Sequence, residues 1–166
     1  MQVESFPPLL GDEPRVLVLG TMPSVASIEA GEYYGHPRNA FWPLMAELFG
    51  FDAQAPYAAR VQALTGSGVA VWDVLQSCVR EGSLDASIDR ASEVPNDFVA
   101  LLREHASLQH VVLNGRKAEQ VWKRVVGPSL EFPTTVLPST SPAMAALDFA
   151  GKLAQWQVVR ELAAGR

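Results

Sequence analysis

Four short runs of this chain are apolar without alternation: Arg15-Val16-Leu17-Val18-Leu19, Val69-Ala70-Val71-Trp72-Asp73, His110-Val111-Val112-Leu113 and Thr134-Thr135-Val136-Leu137. A strand with one wet face alternates apolar and polar residues, whereas a strand of a parallel sheet covered on both sides does not. Between the runs, apolar positions recur at helical spacing. Phe41, Leu44, Met45, Leu48 and Phe49 form one stripe that Gly50 ends; Phe98, Leu101, Leu102 and His105 form another, after Pro95 and a candidate N-cap at Asn96. Ala118, Val121, Trp122 and Val125 form a third, stopped by Gly127-Pro128, and Leu153, Trp156, Val159 and Ala163 form the last. Strands alternating with helices predict an α/β chain, a three-layer α/β/α sandwich around a central four-stranded, mainly parallel sheet. No repeat, linker or low-complexity segment interrupts the pattern, so residues 1–166 are expected to form one domain.

In such a sheet, ligands gather beyond the C-terminal ends of the strands. Here those ends are rich in polar and turn-forming residues. The first strand runs into Gly20-Thr21-Met22-Pro23-Ser24, the second ends at Trp72-Asp73, the third at Asn114-Gly115, and the fourth at Pro138-Ser139-Thr140-Ser141-Pro142. Four such loops on one edge predict a cleft.

Composition narrows what the cleft can hold. Cys78 is the single cysteine, which excludes an internal disulfide and an all-cysteine cluster. His36, His105 and His110 lack metal-ligand spacing, so no metal or organic cofactor is expected. No apolar run approaches the roughly 20 residues of a membrane span, and Met1 to Leu10 lacks the pattern of a secretory leader. A soluble, cytoplasmic monomer is the expectation. The net charge of −5 argues against a general nucleic-acid coat. The charge is uneven, however: between His105 and Leu130, Arg116, Lys117, Lys123 and Arg124 face only Glu119. A local basic surface suffices to meet phosphates.

The most informative segment is Tyr33-Tyr34-Gly35-His36-Pro37-Arg38-Asn39-Ala40-Phe41-Trp42, just ahead of the first helical stripe. An aromatic beside a glycine-bounded turn can offer a flat face to a planar ligand. Asn39 can position a water through its amide, or it can simply cap the helix that follows. Asn114 can read a ligand at the strand end, or serve as a turn or cap residue. Asp73 can orient a group in the cleft or cap a turn. His105, on an apolar stripe, reads as a satisfied core histidine, and Cys78 as a small apolar filler.

Gly20-Thr21-Met22-Pro23-Ser24 followed by Tyr34-Gly35-His36-Pro37-Arg38-Asn39-Ala40-Phe41-Trp42 closely resembles the opening of mismatch-specific uracil-DNA glycosylases, and more closely that of their hypoxanthine (deoxyinosine) relatives, often called family six. Gly68-Val69-Ala70-Val71-Trp72-Asp73-Val74-Leu75, then Gly82-Ser83-Leu84-Asp85, is similar to that same subgroup, and Leu137-Pro138-Ser139-Thr140-Ser141-Pro142-Ala143 resembles its closing motif. The resemblance implies a uracil-DNA glycosylase-like fold and base excision from damaged DNA; since none of Lys117, Lys123 and Lys152 falls in the loops assigned to the base, no amine is expected there to nick the strand. It implies that Tyr34 stacks on the extruded base and that Met22 stands where the mismatch enzymes carry a catalytic asparagine. In the deoxyinosine subgroup that role falls to the asparagine of the His-Pro-Arg-Asn block, here Asn39. The closing loop lacks the histidine of the most active uracil enzymes, so activity on uracil should be modest.

Gly20, Met22, Pro23, His36 and Asn114 would join Tyr34 around the base. Ser24, Arg38, Ser139, Thr140, Ser141 and Pro142, with the basic pair Arg116 and Lys117, would meet the DNA. Two other readings use the same residues. One is a lesion-binding module without turnover, motivated by the acidic chain and the absent first-motif asparagine. The other is a small-molecule hydrolase using Ser139 or Ser141 with His36 or His105, for which no glycine-flanked nucleophile elbow is present.

Overall fold

The computed structural model describes residues 1–165. Its centre is a four-stranded parallel sheet of β2 (Val16–Gly20), β3 (Val69–Asp73), β6 (His110–Asn114) and β7 (Thr134–Leu137), in the order β3-β2-β6-β7. The register sets Val16 opposite both Val69 and His110, and Val111 opposite Thr134. β2 is buried along its whole length. Its side chains alternate between two cores: Leu17 and Leu19 on one face, Val16 and Val18 on the other. That two-sided burial is why the strands read as unbroken apolar runs.

One face carries α2 (Phe41–Phe49), α3 (Tyr57–Gly66) and α6 (Phe149–Ala163), which contribute Phe41, Leu44, Leu64, Trp156 and Val159 to the core. The other carries α4 (Phe98–Glu104) and α5 (Arg116–Val125), with Phe98, Leu101, Val121 and Trp122. α2 ends where Gly50 turns left-handed (φ 74°) and α6 begins at Asp148, whose carboxylate accepts from the Gly151 N–H. These match the stripes read from the sequence.

The structure departs from that reading in several places. A second, antiparallel sheet, β1 (Gln2–Glu4), β4 (Leu75–Arg80) and β5 (Ile88–Pro95), lies against the α4/α5 core through Val3, Leu75 and Cys78. Its longest strand is mostly wet and its register shifts twice, so no clean alternation marks it. α1 (Val25–Ala30) and α3 also went unpredicted, being short or weakly patterned. Finally, α4 is capped by Asp97, which accepts from the Ala100 N–H, and not by Asn96. Asn96 instead donates to the Asp73 carbonyl, tying this turn to the end of β3. His105 is the half-buried C-cap of α4, not a core histidine, because the helix ends before its stripe closes.

Trp156 joins the α6 core to the cleft. It is fully buried, sets its ring edge against Phe41, and donates from Nε1 to the Pro138 carbonyl at 2.9 Å. Trp156→Ala should cost about 3–5 kcal/mol, whereas Trp156→Phe should cost about 1–2 kcal/mol, chiefly the lost hydrogen bond. Urea unfolding of the two variants checks this, and equal losses would show that the indole N–H contributes nothing.

Candidate active site

In the order β3-β2-β6-β7 the chain leaves β2 in one direction and returns on its other side at β6. This is the switch point at which open parallel sheets form a crevice. A cavity of about 390 Å³ opens there, with Gly20, Asp73 and Asn114 at its strand ends. That volume lies in the roughly 300–1,000 Å³ range of small-molecule sites. Gly20 is required: a Cβ there would lie 2.8 Å from Asp73 Oδ1 and 3.1 Å from the Tyr34 hydroxyl.

The loops around the cavity are tied together by one carboxamide. Asn114 Nδ2 donates to the Tyr34 hydroxyl at 3.2 Å and to Thr140 Oγ1 at 3.0 Å, while Asn114 Oδ1 accepts from the Thr140 N–H at 3.0 Å. The Thr140 carbonyl in turn accepts from the Ala40 N–H at 2.9 Å, so the closing loop and the loop before α2 are joined directly. From behind, buried Lys152 of α6 donates to the Ser141 carbonyl. Asn114 is therefore neither a helix cap nor an unoccupied reader. Both its amide hydrogens are engaged, and one Oδ1 lone pair remains.

Tyr34 and Asn39 both line the cavity. Tyr34 is the one non-glycine residue with positive φ (55°) among the described residues, a conformation costing about 1–2 kcal/mol. Its neighbours hold it there. Phe41 stacks on its ring at 4.1 Å between centroids and 22° between planes, and Asn114 holds its hydroxyl. Before it, Tyr33 is pinned by its own hydroxyl, which donates to the Pro7 carbonyl at 2.8 Å. Asn39 Oδ1 accepts from the Phe41 N–H at 2.9 Å. Asn39 is not the N-cap of α2, a place taken by Ala40, but its Oδ1 restrains the first turn of that helix while the residue lines the cavity.

The cavity also holds a carboxyl group that sequence reasoning left undecided. Asp73 is buried, and its Oδ2 has no hydrogen-bond partner. Burial first, then the nearby charge of Asp85, push its pKa from 3.8 up to about 7, although Arg80 opposes the shift. Asp85, on the 3-10 turn Asp85–Ser87, is itself raised by burial and lines the same cavity. Arg80 is almost wholly buried. It donates to the Pro23 carbonyl at 2.6 Å and the Gly82 carbonyl at 2.7 Å, drawing two cavity loops together, and its Nη1 has no partner. Burial likewise pushes the Tyr34 hydroxyl well up, with the Asp73 charge adding to the effect. Asp85 stood in the Gly82-Ser83-Leu84-Asp85 block without an assigned role, and Arg80 carried no local signal beyond a charged residue near a glycine turn.

Of the residues expected around a base, Gly20, Met22, Pro23, Tyr34 and Asn114 line the cavity, as do Ser24, Ser139, Thr140 and Ser141. Ser24 also caps α1, accepting from the Ser27 N–H. His36 does not line it: its Nδ1 accepts from the Arg38 N–H and stabilises the turn. Arg38 and Pro142 also lie outside the lining. Arg116 borders an adjoining groove that shares Ser139 and Met144 with the cavity, and Lys117 is close enough to act on Asp85. The other two basic residues of that stretch are bound elsewhere, Lys123 to Glu119 and Arg124 to the buried Glu93 carboxylate. The Ser139/Ser141 hydrolase reading loses its base, because neither His36 nor His105 reaches the cavity.

The family model described as the Uracil DNA glycosylase superfamily matches residues 7–163. A hypoxanthine DNA glycosylase of Methanosarcina barkeri (strain Fusaro / DSM 804) is 33% identical over 144 residues, covering 86% of this chain and 89% of that protein. A hypoxanthine DNA glycosylase of Methanosarcina acetivorans is 37% identical over 139 residues, covering 83% and 85%. A solution NMR structure from M. acetivorans, described as a candidate uracil DNA glycosylase, superposes with a TM-score of 0.80 at 32% identity, covering 98% of this chain and 99% of that one.

The buried Asp73 has a consequence for stability. The folded protein keeps its proton to about pH 7, whereas the unfolded chain releases it near 3.8. Between those values the folded state binds more protons, so stability falls as pH rises and levels off above neutrality. Asp73→Asn removes that titration. The variant should match the parent near pH 4 and exceed it by about 2–4 kcal/mol near pH 8. Melting curves across this range check it; a pH-independent difference would contradict the burial of an ionisable Asp73.

Proposed function

The chain belongs to the Uracil DNA glycosylase superfamily, and from that premise we propose that it hydrolyses the N-glycosidic bond of deaminated bases in DNA, hypoxanthine foremost. The observation that carries this reading is the convergence of Tyr34 and Asn39 on one cavity at the switch point of the sheet. The two similar Methanosarcina proteins bear the name hypoxanthine DNA glycosylase, which supports the choice of base.

A base inside a duplex is out of reach, so the nucleotide must be swung out and held. Stacking on an aromatic is worth roughly 1–3 kcal/mol per base, which offsets part of the unstacking cost. Tyr34 supplies that ring, and the Phe41 stack behind it keeps it from rotating away. As the bond breaks, the sugar turns cationic and needs only a well-placed weak nucleophile. Asn39 Oδ1, fixed on one side by the Phe41 N–H, has a second lone pair to orient that water. Ser139 to Ser141, with Arg116 and Lys117 at the start of α5, would receive the flanking phosphates. Among the described residues no lysine lines the cavity, so the reaction should stop at the abasic site.

Release of hypoxanthine is measured on duplexes carrying deoxyinosine, with abasic sites then cleaved by alkali. The parent protein should release hypoxanthine faster than uracil. Asn39→Ala should lose about 100-fold or more in rate, while losing only about 1 kcal/mol of stability through the missing contact to Phe41. An unimpaired variant would remove Asn39 from the reaction. Binding to the duplex with no base release by the parent would identify a lesion-binding module instead.

A further inference from the structure

We propose that Asp73 acts as the acid toward the departing base: its carboxylic acid donates a hydrogen bond, and then a proton, to an acceptor atom of the purine. This inference rests on the glycosylase reading of the cavity. It starts from an anomaly. A buried polar atom without a partner costs about 1–3 kcal/mol, and folded proteins rarely keep one without a use. Asp73 Oδ2 is such an atom, closed over by its neighbours, and it belongs to a side chain that lines the cavity from the C-terminal end of β3.

The groups facing Asp73 decide which form it takes. Asp85 brings a like charge from the 3-10 turn, and Tyr33 and Tyr34 bring neutral phenols from the loop before α2. Arg80 of β4 is the one cation among the described residues that acts on it, and its hydrogen bonds go to the carbonyls of Pro23 and Gly82. No protein donor satisfies Oδ2, so the arrangement favours the neutral acid. A neutral acid on a cavity wall has a hydrogen to give and no protein acceptor for it. The same logic keeps other buried carboxylic acids protonated as donors in active sites.

Donation fits what leaves. When the bond from C1′ to N9 breaks, its electron pair goes to the purine, whose ring nitrogens and O6 gain negative charge. The Asp73 proton passes to one of these acceptors and the base departs neutral. The oxygen of the water bonds to C1′, and the proton that water sheds returns the carboxylate to the acid through solvent. Every proton and electron pair is accounted for, and no further reactant is needed.

The test is single-turnover release of hypoxanthine by the parent, Asp73→Asn and Asp73→Ala, from about pH 5.5 to pH 9. Binding to a duplex carrying an uncleavable 2′-fluoro deoxyinosine is measured alongside. The parent's rate should fall as pH rises above neutrality. Asp73→Asn can donate a hydrogen bond but not a proton; it should be about 100-fold slower, with a flat profile and nearly unchanged binding. Asp73→Ala should be slower still and bind less tightly. If both variants keep the parent's rate and pH profile, Asp73 is not the acid although the glycosylase reading stands. A parent rate that rises with pH and loses that rise in Asp73→Asn would make Asp73 a base and overturn the proposal. A parent that releases no hypoxanthine at any pH removes the reading of the site and this inference together. Since Asp73→Asn should be at least as stable as the parent, slow turnover cannot be ascribed to unfolding.

Discussion

The Asn114 carboxamide is the interaction on which the cavity depends. From the last residue of a central strand it reaches Tyr34 in one loop and both the N–H and the hydroxyl of Thr140 in another. Loops on a sheet edge bury little apolar surface and have few ways to hold a fixed shape. Here the shape is taken from the sheet itself, since β6 is paired on both sides and its middle is fully buried. Only an amide fits the role. It offers two donors and an acceptor in one plane, which a carboxylate or a hydroxyl does not. The Thr140 carbonyl passes the constraint to Ala40, one residue from Asn39, so the groups proposed to hold the base and the water share one frame.

That frame carries costs that the apolar layers offset. Tyr34 is held in left-handed backbone, Asp73 is buried without a partner for Oδ2, and Arg80 is buried with Nη1 unmatched. Each is unfavourable by itself, and all three border one group of loops at the strand ends. Among the described residues the core on either side of the sheet contains no comparable defect: its interior strand positions are aliphatic and Phe41–Trp156 and Phe98–Trp122 pack edge-on. On the glycosylase reading, unfavourable features gathered at one edge of a well-packed sheet are where folding stability would be given up for reactivity.

The sheet was legible in the sequence because two-sided burial leaves an unbroken apolar run, and β2 and the first three residues of β3 follow that rule. The turn residues at the strand ends located the crevice for the same reason. The second sheet was not legible, since β5 is polar, bulged and mostly wet, and the pairing of β4 with β1 at the far end of the chain is a long-range fact that no local window contains. The site divides similarly. Tyr34 and Asn39 stand in a dense motif whose chemistry is visible one residue at a time. Asp73 was noticed but undecided, because a strand-end aspartate looks the same whether it caps a turn or lacks a partner. Only the positions of Asp85 and Arg80, brought there by β4 and the turn after it, tell the two apart. His36 shows the converse: a histidine in the right motif whose ring is occupied by its own turn.

The net charge of −5 bears on how such a site would work on DNA. Counting basic residues near α5 suggests four available cations, but the geometry leaves two, since Lys123 and Arg124 are held by Glu119 and Glu93. On the glycosylase reading, a surface with so few cations beside its cavity gains little from phosphates at an arbitrary position, because non-specific binding grows with the number of phosphates neutralised. Discrimination must then come from the pocket: from stacking on Tyr34, from the fixed Asn39 amide, and from a group on the wall that can answer the charge developing on the base. Such an enzyme is retained only where a base can be everted and fits. Weak electrostatic grip and a demanding cavity are therefore two sides of one design, and the acidic composition that argues against a nucleic-acid coat suits a protein that must leave undamaged DNA quickly.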